Sequence, residues 1–418
     1  MTADETSEQT SVVADGEYAA RRSGAGTLGL GGTLLLAFFY MAYRYPLQIN
    51  SSQTSPTYID TPIVLQVMKY VIFGLLLAVV AVMLMRRGFR WSNYLLVGAC
   101  LVVIVWPAAQ ILWGGPISGA EIGFFITMSA LLVATQATVN MNTVFQVIRA
   151  FFWIALTVDL VQVILAVTID RMPALAYQGT YSIRFGSLWD DPNGFGIVLA
   201  MLLPFMLVGT SARVKSAAVI GTALMLVLTQ SVTAAATLPA SLLIGATILW
   251  WGNRGRLLAM WGAAALACAV VLVALFAGHF DQFISDKSGS IAGHAESLYV
   301  LNHVTLPQLL GLRPNAPVES GWVNLAIGTG VPFAFVYAAL LVVAIAKSHR
   351  RIAASTDVRE RAVFIGAFFY LIAFMIAALN LPIERVFPLN AILAVCLALP
   401  WIRNGNAMES EISDAGSH

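Results

Sequence analysis

Arginines, carboxylates and histidines are scarce in this chain, so their placement is informative. Arg184, Asp190, Asp191 and Asn193 fall within one polar, turn-rich stretch, YSIRFGSLWDDPNGFG, residues 181–196. His294, Arg313, Glu319 and Ser320 fall within a second polar stretch, residues 278–321. A guanidinium matches phosphate oxygens with a planar, two-pronged fork, whereas lysine acts as a point charge. A carboxylate or imidazole can take a proton from a hydroxyl. Together these groups suit a transfer reaction with a diphosphate leaving group. Arginine would neutralise charge developing on the diphosphate, and one of the carboxylates or histidines would take the proton from the acceptor hydroxyl. A neutralised diphosphate leaves readily, so no separate general acid is required.

Each of these residues also has a plainer reading. Asp191-Pro192 reads as a helix start, with Asp191 as N-cap and proline at the first helical position. The positive dipole end of that helix and Arg184 would then face one polar site that favours an anion. An ordinary capped helix beside a solvated arginine fits the same residues. Gly194 and Gly196 admit close approach of another backbone or of a ligand. Beyond the N-terminal tail Asp190 and Asp191 are the one adjacent acid pair, but adjacent side chains diverge, so a helix start explains them better than a divalent metal. His294 and His303 are nine residues apart, which fits no common zinc spacing. Neither a metal nor a cofactor is expected. Glu319 could equally be a solvated acid capping the next span.

The elements that must position these groups are membrane helices. The 418 residues are 59% hydrophobic and 11% charged, with mean hydropathy +0.81, against about 25% charged for soluble domains. The expected fold is an all-α polytopic membrane protein in the lipid bilayer. Twelve apolar segments approach the ~20 residues a span needs, at roughly 27–43, 62–85, 93–113, 121–139, 146–168, 193–210, 216–230, 235–252, 257–277, 322–346, 361–380 and 388–402. Residues 1–25 read as a disordered tail without a signal peptide. Residues 26–403 form one transmembrane domain, and 404–418 a second tail. With the N-terminus inside, sixteen basic residues fall on the inner side. Six fall outside: Arg44, Arg171, Arg184, Lys287, Arg313 and Arg385. The positive-inside rule thus places both termini in the cytoplasm.

The outer side then carries the 181–196 stretch and the long connection 278–321, between the ninth and tenth spans. Leu298, Leu301, Val304 and Leu309 have roughly helical spacing, which predicts an amphipathic helix over 294–310 on the outer interface. Lys69 and Asp159 are ionisable residues within spans, at similar depth. An intramembrane charge is costly unless paired, so a structural Lys69–Asp159 pair is expected, with a proton-coupling site as the rival reading. Cys100, Cys268 and Cys396 all lie in apolar segments, so neither a disulfide framework nor a CxxC site is present. A net charge of +2 gives no reason to expect a nucleic-acid partner.

Arg184…Asp191-Pro192-Asn193-Gly194 opening a span resembles a segment of the O-antigen ligase and O-antigen polymerase (Wzy-type) superfamily. Gly293-His294…Gly311…Glu319-Ser320-Gly321-Trp322…Gly328-Thr329-Gly330 is similar to that family's second outer loop and the span after it. The resemblance covers about residues 146–347; the remaining spans agree only in number and orientation. It implies an inverting, metal-independent GT-C-type glycosyltransferase of the bacterial inner membrane, acting at the periplasmic face. The implied donor is an undecaprenyl-diphosphate-linked oligosaccharide, and the candidate protein partners are a chain-length regulator and a flippase. By that analogy Arg184 would bind the diphosphate; Arg313, which no family motif fixes, is the candidate second contact. Asp190, Asp191, Asn193 and Ser320 would support the donor site. Where the ligase branch has a histidine followed by Asn, Ser or Gln ahead of a G-x-x-G pair, this chain has Glu319-Ser320 and Gly328-Thr329-Gly330. That departure favours a polymerase of repeat units for capsule or exopolysaccharide, with Glu319 as base and His294 assisting. A ligase with another acceptor and a twelve-helix secondary transporter are the alternatives.

Overall fold

The structure, a computed structural model, describes residues 94–112, 138–139, 141–169, 176–178, 183–187, 192–229, 231–251, 298–312, 320–381 and 389–404, with isolated positions at 71 and between 253 and 265. The spans expected at 27–43, 62–85, 121–139 and 257–277 lie wholly or mostly outside the described residues. So do the two tails, apart from Asn404.

The described chain is mostly helical. Its helices are Tyr94–Leu112 (α1), Met141–Ile169 (α2), Pro192–Leu207 (α3), Ala212–Thr229 (α4), Val232–Trp250 (α5), Leu306–Leu309 (α6), Gly321–Gly328 (α7), Val331–Ala354 (α8), Val358–Ala377 (α9) and Leu389–Ala398 (α10). Two short ladders accompany them. Thr138–Val139 (β1) pairs in parallel with Arg403–Asn404 (β4), and Ala176–Gln178 (β2) pairs antiparallel with Ile183–Phe185 (β3). Among the described residues five helices are long and apolar enough to cross a membrane. A helix satisfies its own backbone groups, which is why an apolar run of this length adopts it in lipid.

α9 and α3 form the centre. In α9, 72% of the most apolar window is buried, against 28–39% in the other four spans. α3 is buried almost throughout. Small residues let these helices approach closely, as expected where no hydrophobic effect drives helices together. A side chain on Gly366 of α9 would strike the Phe205 ring of α3, and one on Gly245 of α5 would strike Phe369.

Chain direction sorts the two ends of the bundle. The α8–α9 turn, residues 355–357, is capped by Asp357, whose side chain accepts from Arg359 N–H at 3.0 Å. A Cβ added to Gly209, in the α3–α4 turn, would lie 3.4 Å from Ala362 Cβ near the start of α9. This end gathers Arg149, Arg213, Lys215, Lys347, Arg350, Arg351, Arg359 and Arg361. Lys347 lies over Trp401, and the Arg351 Nε donates to Pro400 O. The opposite end holds the starts of α3, α5 and α7.

Two expectations change. The tenth span, expected at 322–346, is broken into α7 and α8. Gly330 adopts φ +98°, Pro332 stands in the first turn of α8, and no continuous helix passes through them. The amphipathic helix expected over 294–310 is, where described, a 3-10 turn at Tyr299–His303 and the single turn α6, with Val304 and Thr305 extended between them. Pro307 cannot donate to a preceding turn, and Thr305 instead forms a capping box with Gln308.

Candidate functional site

The polar end is built from three helix starts and the last turn of α9. α3 opens on Pro192 as its first residue, as expected, with Asn193 second. Gly196, one turn in, packs on the α4–α5 turn, where an added Cβ would lie 2.8 Å from Ala234 and 3.4 Å from Ser231. Its smallness is therefore explained by helix packing. Ser231 caps α5, its hydroxyl accepting from Ala234 N–H at 3.3 Å.

α7 is tied to the same end. Ser320 stands at its N-cap position but donates its hydroxyl to Leu379 O at 2.9 Å, leaving the helix start uncapped by it. Trp322 N–H donates to Ala378 O and the indole Nε1 to Met375 O, each at 3.0 Å. Asn380 in turn donates to the Thr233 hydroxyl in the first turn of α5. The starts of α3, α5 and α7 are thus linked through named contacts, and Asn193 and Ser320 share one end. Helix N-termini carry partial positive charge, so this end suits an anion.

The segment bearing Arg184 is anchored from below. Arg184 lies on β3, in register with Tyr177 of β2. Phe185, Gly186 and Ser187 are buried. Ser187 adopts φ +52°, uncommon for a residue with a side chain. Its hydroxyl donates to Ala155 O at 2.6 Å, and Gln162 Nε2 donates to Ser187 O at 2.8 Å. The turn after Arg184 is thereby seated on α2 from the helix midpoint onward.

The end of the long connection is also anchored. Gly311 and Gly330 adopt φ +75° and +98°, and their backbones touch. A Cβ on Gly311 would strike Thr329 O, and one on Gly330 would lie 2.8 Å from Gly311 N. Gln110 of α1 donates to Gly311 O, and Trp106 Nε1 to Thr329 O at 2.7 Å. This places Leu312, the residue before Arg313, at the α7–α8 break.

The structure therefore brings Asn193 and Ser320 to one end and seats the backbone of Arg184 by way of Ser187. His294, Arg313, Glu319, Asp190, Asp191 and Lys69 lie outside the described residues. Asp159 is fully buried in α2. His303 sits exposed in the 3-10 turn. Among the described residues no group of three or more His, Cys, Asp or Glu could hold a metal. Gln110, Gln162 and Ser187 were not picked out from sequence. Polar amides inside apolar runs were the available signal for the first two. No protein-family model matches the chain, and no curated protein matches it.

Proposed function

We propose that the protein is a membrane glycosyltransferase that polymerises glycan repeat units carried on undecaprenyl diphosphate. The observation that carries this reading is the joint placement of three helix starts at the bundle end opposite the basic residues, with the Arg184 turn seated on α2 nearby. Under the positive-inside rule the basic end faces the cytoplasm and the polar end the periplasm. The full chain then has about twelve spans, with the 278–321 loop on the periplasmic side. Arg184 binds the donor diphosphate with its two-pronged fork, and Arg313 supplies a second contact. Asp190, Asp191, Asn193 and Ser320 line the donor site. Glu319, assisted by His294, removes the proton from the acceptor hydroxyl as the sugar–diphosphate bond breaks, inverting the anomeric centre. Purified protein given a lipid-diphosphate-linked repeat unit should build a ladder of products whether or not chelator is present. A donor that binds without elongation would shift the assignment to a ligase awaiting another acceptor.

A secondary transporter is the second reading. The buried Asp159 and the break between α7 and α8 favour it, since transporters place intramembrane acids and broken helices at substrate sites. It requires uptake into proteoliposomes that Asp159→Asn abolishes.

A further inference from the structure

Asp159, Gln162 and Ser187 form a buried polar cluster that the transfer reaction does not use. Asp159 and Ser187 are 0% exposed and Gln162 8%. Ala155, Asp159 and Gln162 recur at i, i+4 and i+7 along one face of α2. Ser187 closes over this face through its bonds to Ala155 O and from Gln162 Nε2. Three acceptor oxygens are then left without a hydrogen bond: both carboxyl oxygens of Asp159 and Oε1 of Gln162. The Ser187 N–H lies beside the carboxyl but closes no hydrogen bond of full geometry to either oxygen.

Buried polar atoms in folded proteins are nearly always partnered, and here the orphans are all acceptors. Among the described residues the cluster lacks a donor. Calcium and magnesium take about six or more ligands and zinc about four, and three oxygens supply neither set. One proton partners two of these three oxygens. An acid O–H on Asp159 donates to Gln162 Oε1, one helical turn along, and the other carboxyl oxygen faces the Ser187 N–H.

We propose that Asp159 is held as a neutral carboxylic acid and acts as the positioning residue for the Arg184 turn. Its O–H donates to Gln162 Oε1, and the Gln162 N–H donates to the Ser187 carbonyl, holding Ser187 in its left-handed conformation. The part that concerns Arg184 rests on the donor site proposed above; the location of the proton does not.

Asparagine in place of Asp159 keeps a donor toward Gln162 and an acceptor toward Ser187, whereas alanine keeps neither. Infrared difference spectra of the purified protein against Asp159→Asn should show a protonated-carboxyl band in the parent that the variant lacks. Asp159→Asn should hold the thermal midpoint within about 1 °C of the parent, and Asp159→Ala should lower it by about 3 °C or more. Affinity for the lipid-diphosphate-linked repeat unit should fall about tenfold in Asp159→Ala and less than about twofold in Asp159→Asn. Absence of the band, or equal destabilisation by both variants, would overturn the proposal and indicate a charged acid paired with a cation such as Lys69. If the parent binds no donor, the donor-site reading fails, while the band and the midpoints still decide where the proton is.

Discussion

Arg184 stands on a short strand three residues before Ser187, and the hold on Ser187 decides where that strand sits. Ser187→Ala removes the hydroxyl bond to Ala155 O, and should cost about 1 kcal/mol in thermal unfolding. Arg184→Ala should insert normally yet lower elongation by about 10²–10³-fold, the usual loss when a donor to developing charge is removed. Arg184→Lys keeps the charge but not the two-pronged fork, so its activity should fall between alanine and parent. Glu319→Gln should stop elongation with donor binding retained, read by repeat units accumulating on the lipid carrier. The sequence made Arg184, Pro192 and Asn193 visible because polar residues and proline are conspicuous in apolar surroundings. Ser187 was not visible. A serine in a loop carries no sign that it will be buried, left-handed and bonded to a helix 32 residues earlier.

At the scale of elements, four of the five described helices long enough to cross a membrane lie within about five residues of spans expected from hydropathy, because length and apolarity largely decide them. The break in the tenth span was not read, since a window average hides one glycine. Gly330 and Pro332 were the local signal. Gly311→Ala and Gly330→Ala should each destabilise by at least about 1–2 kcal/mol, because the left-handed conformation and the opposing backbone both reject a Cβ. A loss of thermal midpoint below that of an exposed control such as Ala353→Gly checks this. The leucines of 294–310 have helical spacing, yet Pro307 divides the described part into two turns. Gly366→Leu should overpack α9 against Phe205 and cost about 1–3 kcal/mol.

At the scale of the whole molecule, the two ends of the bundle differ in charge and polarity, and the positive-inside rule turns that difference into an expected orientation. Single cysteines on an otherwise cysteine-free background read it directly. Leu379→Cys, at the polar end, should react with a membrane-impermeant maleimide added outside intact cells. Thr356→Cys, in the α8–α9 turn, should react only after permeabilisation; the reverse pattern would place the site in the cytoplasm. The most direct measurement remains elongation itself: purified protein incubated with a lipid-diphosphate-linked repeat unit, in parallel with Arg184→Ala, with and without chelator. A chelator-insensitive ladder from the parent and none from Arg184→Ala is the predicted result. A parent that neither binds nor extends the donor, or an Arg184→Ala ladder equal to the parent's, would contradict a polymerase built around this arginine.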